Sequence, residues 1–174
     1  CKSQFARAHD ILREAEEKNE RVFLFINLME THFPYHIHNK FEILSHGLLE
    51  KFRELKSMFH MVNQTWLRTG KQHINPYMLS LLRNRQKLAW KWFAQSIDEF
   101  SESIHESYPD SLYIFTSDHG DNFGDEGWRY HFSNVTEAGN RVPLFVSGPN
   151  IPDGQELSTP TSIRYIPMMI EKAA

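Results

Sequence analysis

The chain has 174 residues, 40% of them apolar and 13% aromatic with thirteen phenylalanines, enough for one domain with a core and too apolar for a disordered chain. A formal net charge of −3 supplies no basic field, which excludes nucleic acid as the expected partner. The single cysteine, Cys1, excludes an internal disulfide framework and a cysteine-based zinc cluster.

Residues 4 to 19 carry Phe5, Ala8, Ile11, Leu12 and Ala15 at helical spacing, with a charged face over "REAEEKNER". Arg21 to Leu28 is then a continuous apolar run of strand length, which predicts a strand buried on both faces. The longest apolar stretch, "VFLFINLM", is too short to cross a bilayer, so no transmembrane segment is expected. No basic stretch followed by an apolar one opens the chain, so no signal peptide is expected either. "METHFPYHIH" follows as a loop, with His36 and His38 read as surface residues.

Phe41, Leu44, Leu48, Phe52, Leu55 and Phe59 predict a helix over 41–59. After a polar loop, Asn75 and Pro76 open a second helix as N-cap and first residue. Its apolar stripe is expected to run through Leu81, Leu88, Trp92, Ile97, Phe100 and Ile104, and Pro109 to close it. "SLYIFT" (111 to 116) and "VPLFVSG" (142 to 148) read as strands, and "SIRYIPMMIEKA" as a short final helix. Alternating strands and helices, with connections long enough for crossovers, predict an α/β fold with parallel strands. Asn63-Gln64-Thr65 and Asn134-Val135-Thr136 have the form of glycosylation sequons, which matter only in a secreted chain.

Ligands in such sheets sit beyond the carboxyl ends of the strands. Two polar clusters fall there: Glu30 and His32 after the first strand, Asp118 and His119 after the second. If the two strands are parallel neighbours, both clusters face one site. A carboxylate oxygen and an imidazole nitrogen suit a divalent cation such as zinc or manganese, whereas calcium or magnesium would use chiefly the carboxylate. His32 can donate a hydrogen bond to an anionic substrate or protonate a leaving oxygen. Asp121, Asp125 and Glu126 are expected to be solvated or capping groups. His131 and Arg129 remain as candidates for anion contact, and Arg141 is expected in an ion pair at the start of its strand.

"VFLFINLMETHFPY", "LYIFTSDHGD" and "NRVPLFVSGPNI", in that order and separated by helices, resemble the C-terminal part of the catalytic domain of sulfatases, within the alkaline phosphatase superfamily. The resemblance runs from about Val22 to about Ile170. It implies a single partial catalytic domain over 1–174, with a mixed, mostly parallel sheet flanked by helices and lacking its N-terminal strands. It implies hydrolysis of a sulfate ester with the help of a divalent metal, calcium or magnesium by family habit, with manganese or zinc also allowed. Asp118 and His119 match the family's second pair of metal ligands. His32 matches the histidine of its H-x-P-Y loop, which contacts the sulfuryl group.

Three departures accompany the resemblance. "GWRYHF" contains no lysine where sulfatases carry one, so His131 or Arg129 is expected in its place. Arg164 stands where the family usually has aspartate. The upstream C/S-x-P-x-R nucleophile segment and an acidic pair of metal ligands are not in this sequence, and "CKSQF" lacks the proline and arginine that would make Cys1 that nucleophile. The expectation is therefore a C-terminal portion holding half a site, inactive alone, with a sulfated or phosphorylated ester as its partner. A phosphodiesterase or phosphotransferase of the same superfamily, and a non-catalytic module with a residual metal site, are the alternatives.

Overall fold

A computed structural model describes residues 1–33, 35, 76–131 and 135–173. The predicted helix over 41–59, the cap Asn75, the histidines His36 and His38, and the sequon asparagines Asn63 and Asn134 lie outside the described residues. The chain divides into two units, one of Cys1–Val62 with Ser80–Phe100 and one of Asn63–Leu79 with Ser101–Ala174.

In the first unit, helix α1 (Lys2–Glu17) buries Phe5, Ala8 and Ala15. Its end comes two residues earlier than the periodicity predicts, for a local reason. Asn19 takes a left-handed φ of 54°, and Glu20 N–H and Asn19 N–H return to the carbonyls of Ala15 (2.9 Å) and Glu16 (3.0 Å). That is a Schellman closure, which asparagine tolerates better than most residues.

The long helix α2 (Pro76–Ser107) starts at the predicted proline and stops before Pro109. Its buried face is set one residue away from the predicted stripe over its first half. Leu82, Ala89, Phe93 and Ser96 are buried, whereas Leu81, Leu88, Trp92 and Ile97 are half-buried. The two stripes coincide at Phe100 and Ile104, both buried. Two of the buried positions, 89 and 96, hold small residues, which a stripe drawn through the larger apolar side chains passes over. Phe100 stacks on Phe5 with ring centroids 4.3 Å apart and 8° between planes, and His9 meets the same ring edge-on at 5.3 Å.

The predicted strand at Arg21–Leu28 does not form a ladder with any described residue. The backbone is extended, but alternate side chains differ: Leu24, Ile26 and Leu28 are half-buried, while Phe23 is 72% and Phe25 79% exposed. The expectation of burial on both faces is therefore corrected. The apolar run fixes an extended conformation, but burial of the second face needs a partner layer that the sequence cannot supply from within the run.

In the second unit, β1 (Tyr113–Thr116) and β4 (Leu144–Ser147) pair antiparallel, with Phe115 opposite Phe145. Their rings lie 6.0 Å apart. Between them come β2 (Asn122–Phe123), β3 (Arg129–Tyr130) and a short helix α3 (Glu137–Asn140); β2 and β3 are also antiparallel. The described ladders are thus antiparallel throughout, where parallel pairing was predicted. The chain from β1 to β4 returns through a hairpin and one turn of helix, not through the long crossover helix that parallel neighbours usually use. His105, near the end of α2, accepts from Ser147 Oγ at 2.8 Å and donates from Nδ1 to the Ser101 carbonyl at 2.7 Å, which ties that helix end to β4. The last helix, α4 (Ile166–Ala173), follows a 3-10 turn at Ile163–Tyr165 as the sequence predicts.

Replacing Phe100 by alanine removes a buried ring and its stacking partner, and should lower unfolding free energy by about 3–5 kcal/mol, read from the urea midpoint. Phe23→Ala should change the same midpoint by less than about 0.5 kcal/mol, because that ring is mostly in water already.

Candidate functional site

The loop leaving β1 is fixed by small residues and short bonds. Ser117 Oγ donates to the His119 carbonyl at 2.8 Å. Gly120 N–H donates to the Gly139 carbonyl at 2.7 Å. A Cβ at position 120 would lie 2.1 Å from the Ala138 carbonyl oxygen, so only glycine permits this approach. Two residues on, Asn122 is 2% exposed and its Oδ1 accepts from Thr136 Oγ1 at 2.6 Å. Thr136 in turn caps α3, accepting from Gly139 N–H at 3.1 Å. Loop and helix therefore clasp each other at Gly120 and again at Asn122.

The β2–β3 hairpin turns through Gly124 (φ 95°), Glu126 (φ 53°) and Gly127 (φ 83°). Asp125 Oδ2 accepts from Phe123 N–H at 2.7 Å, the turn-capping role expected of it. The register sets Asn122 opposite Tyr130 and Phe123 opposite Arg129. The next pair outward is Asp121 and His131, and their side chains meet: His131 Nδ1 and Asp121 Oδ1 are 2.9 Å apart. Asp121 is 7% and His131 20% exposed at the side chain. The expectation of a solvated Asp121 is corrected here, because the hairpin turns that carboxylate inward.

His119 and His131 stack, with ring centroids 3.7 Å apart and 31° between planes. His119 Nδ1 is 3.0 Å from the Gly120 carbonyl. Because a carbonyl only accepts, that nitrogen carries the proton and the lone pair lies on Nε2. An ionised Asp121 imposes the same tautomer on His131. The two histidines offer ligand nitrogens within 4.8 Å of each other. Asp118 lies beside them and is 86% exposed at the side chain, with Oδ1 3.7 Å from His119 Nε2 and 3.0 Å from His119 N–H.

Of the residues predicted from sequence, Asp118, His119 and His131 thus share one loop system. Arg129 has its backbone in β3, while its side chain lies outside the described residues. His32 belongs to the first unit, where its Nδ1 is 2.7 Å from the Phe33 carbonyl and its own carbonyl accepts from Tyr35 N–H at 2.7 Å. Glu30 Oε1 lies against the backbone nitrogen of Cys1. Arg164 lies over the ring of Tyr165, 5.9 Å from its centroid. Arg141 pairs with Glu137 at 3.1 Å on the exposed face of α3, as predicted. Asp121 is the residue that sequence reasoning missed. The signal for it was a hairpin written as Asn-Phe, Gly-Asp-Glu-Gly, Trp-Arg-Tyr.

The sulfatase family profile matches residues 2–170. The chain belongs to the sulfatase family. It is also similar to a choline-sulfatase from Rhizobium meliloti (strain 1021), 36% identical over 64 residues, which is 37% of this chain and 12% of that protein. The match therefore spans a small part of that relative's length. No solved structure matches the chain. Sulfatases are generally metal-dependent, and two imidazoles with both Nδ1 atoms engaged, beside a carboxylate, are a donor set that fits a divalent cation.

Gly120→Ala should cost at least about 1–3 kcal/mol by forcing the loop off α3, read as a lower melting temperature. Arg141→Ala, at an ion pair whose partners are 81% and 79% exposed, should leave the melting temperature within about a degree of the parent.

Proposed function

We propose that this chain contributes to the hydrolysis of sulfate esters as the C-terminal portion of a sulfatase catalytic domain, within an alkaline phosphatase-like fold. The observation that carries the proposal is the stacked His119–His131 pair beside the Asp118 carboxylate, on a loop held rigid by Gly120 and Asn122. Asp118 and His119 hold the cation. Bound there, a divalent metal would neutralise charge on the ester oxygens and so lower the barrier to in-line attack at sulfur. Calcium or magnesium is the family's habit, and the Asp-His pair also allows manganese or zinc.

The chain's own groups supply the rest. His131 Nε2 and the Arg129 guanidinium contact the sulfuryl oxygens, where a donor aimed at developing negative charge is worth most. His32, supported here by the H-x-P-Y resemblance alone, contacts the same group and hands a proton to the leaving oxygen. The nucleophile and the first pair of metal ligands come from sequence that these 174 residues do not contain, so the chain alone is inactive in this account. Its similarity to a choline-sulfatase makes choline sulfate the first ester to test. A second account makes a phosphodiester the substrate of the same loop, since phosphodiesterases of the superfamily also carry an Asp-His-Gly block like that at 118–120.

Calorimetric titration with Mn²⁺ should show one site, weakened about 100-fold or more in Asp118→Ala and in His119→Ala and little changed in Arg141→Ala. Equal binding by all variants overturns the ligand assignment. Neither choline sulfate nor bis(4-nitrophenyl) phosphate should be turned over by the isolated chain; hydrolysis of either that survives Asp118→Ala contradicts the site.

A further inference from the structure

The sulfatase account gives no role to the carboxylate of Asp121, which is 7% exposed. We propose that Asp121 is a positioning residue for His131: it fixes both the tautomer and the plane of the imidazole, so that Nε2 is the nitrogen turned to the ester. The second half of this statement rests on the proposed function; the first half stands on geometry alone.

Three observations support it. The Nδ1–Oδ1 separation of 2.9 Å is that of a direct hydrogen bond to a carboxylate. The pair is not a chance surface contact, because Asp121 is 7% exposed and follows directly from the β2–β3 register. The opposite tautomer would set a lone pair on Nδ1 against a carboxylate oxygen at that distance, between side chains that are only 20% and 7% exposed.

The ring also has little room to turn. His119 stacks on it at 3.7 Å, and His119 is itself held by the Gly120 carbonyl. Rotation of His131 about its χ2 bond would break the Asp121 bond and tilt the ring into its neighbour. Asp121 is held in turn by the residue that follows it, since the buried Asn122–Thr136 bond fixes the backbone at that point. A side chain that must present one nitrogen to a substrate needs its other nitrogen occupied, and a buried carboxylate does this more firmly than water can. Histidine therefore needs a companion at 131 that a lysine would not, because an ammonium group has no tautomer to choose.

The test is nitrogen-15 NMR of the ring nitrogens in the whole chain, without metal, at a pH where the histidines are neutral. In the parent, His131 should show a protonated Nδ1 and an unprotonated Nε2. In Asp121→Ala the two His131 resonances should move toward one another or exchange places. His119 should be unchanged in the variant, because its Nδ1 partner is a backbone carbonyl independent of Asp121. A parent chain with the proton of His131 on Nε2 overturns the proposal, and this measurement does not depend on the variant folding. It is also overturned if the variant leaves His131 as it was, or if His119 shifts as much as His131, which would make Asp121 a structural residue of the whole loop. The sulfatase account fails separately, if Asp118→Ala and His119→Ala bind Mn²⁺ as tightly as the parent, which the tautomer measurement does not involve.

Discussion

The candidate site depends on how closely one backbone can pass another. Gly120 brings its N–H to the carbonyl of Gly139 at 2.7 Å, and a methyl group at that position would lie 2.1 Å from the Ala138 oxygen. The hydrogen bond itself contributes only about 1 kcal/mol net. Its geometric effect is larger. It forces the chain to turn away from β1 within one residue, which leaves Asp118 and His119 on the near side of the turn and Asp121 and Asn122 on the far side. The buried Asn122–Thr136 hydrogen bond then secures the far side.

The two histidines of the site are held by different chemistry. His119 is tied to a backbone carbonyl, a neutral acceptor that belongs to the next residue in its own loop. His131 is tied to a carboxylate ten residues earlier, across a hairpin. The second bond is charge-assisted and depends on the hairpin register. Any change that slips β2 against β3 by one residue would carry Asp121 to the other face and leave His131 without that partner. The glycines at 124 and 127 and the strained Glu126 fix the register, because the left-handed turn they form admits few alternatives.

Much of this was legible in the sequence, for identifiable reasons. The helices showed in spacing and caps: Pro76 and Pro109 bracket α2, and Phe5, Ala8 and Ala15 mark the buried face of α1. The family showed in three blocks of residues taken together, and the side-chain types of Asp118, His119 and His131 marked them as candidates that the structure brings onto one loop system. What did not show is pairing. The partner of β1 is β4, antiparallel, and a strand's periodicity says which side chains share a face but not which strand lies alongside. The phase of α2 was one residue off because its buried face includes Ala89 and Ser96, which are small rather than strongly apolar. Asp121 was misread because an acidic residue in a polar loop is ordinarily solvated, and only the hairpin register turns it inward.

The extended segment that follows α1 bears on any work in solution. Phe23 and Phe25 are 72% and 79% exposed, and Met29 is 53% exposed. All three are odd-numbered, so they form a single sticky ribbon beside a stretch of main chain that joins no sheet among the described residues. At millimolar concentration such ribbons tend to zip onto one another. Light scattering from the purified polypeptide would then report on crowding at this edge, and dilution or a charged substitution at Phe25 would relieve it without touching the histidine loop.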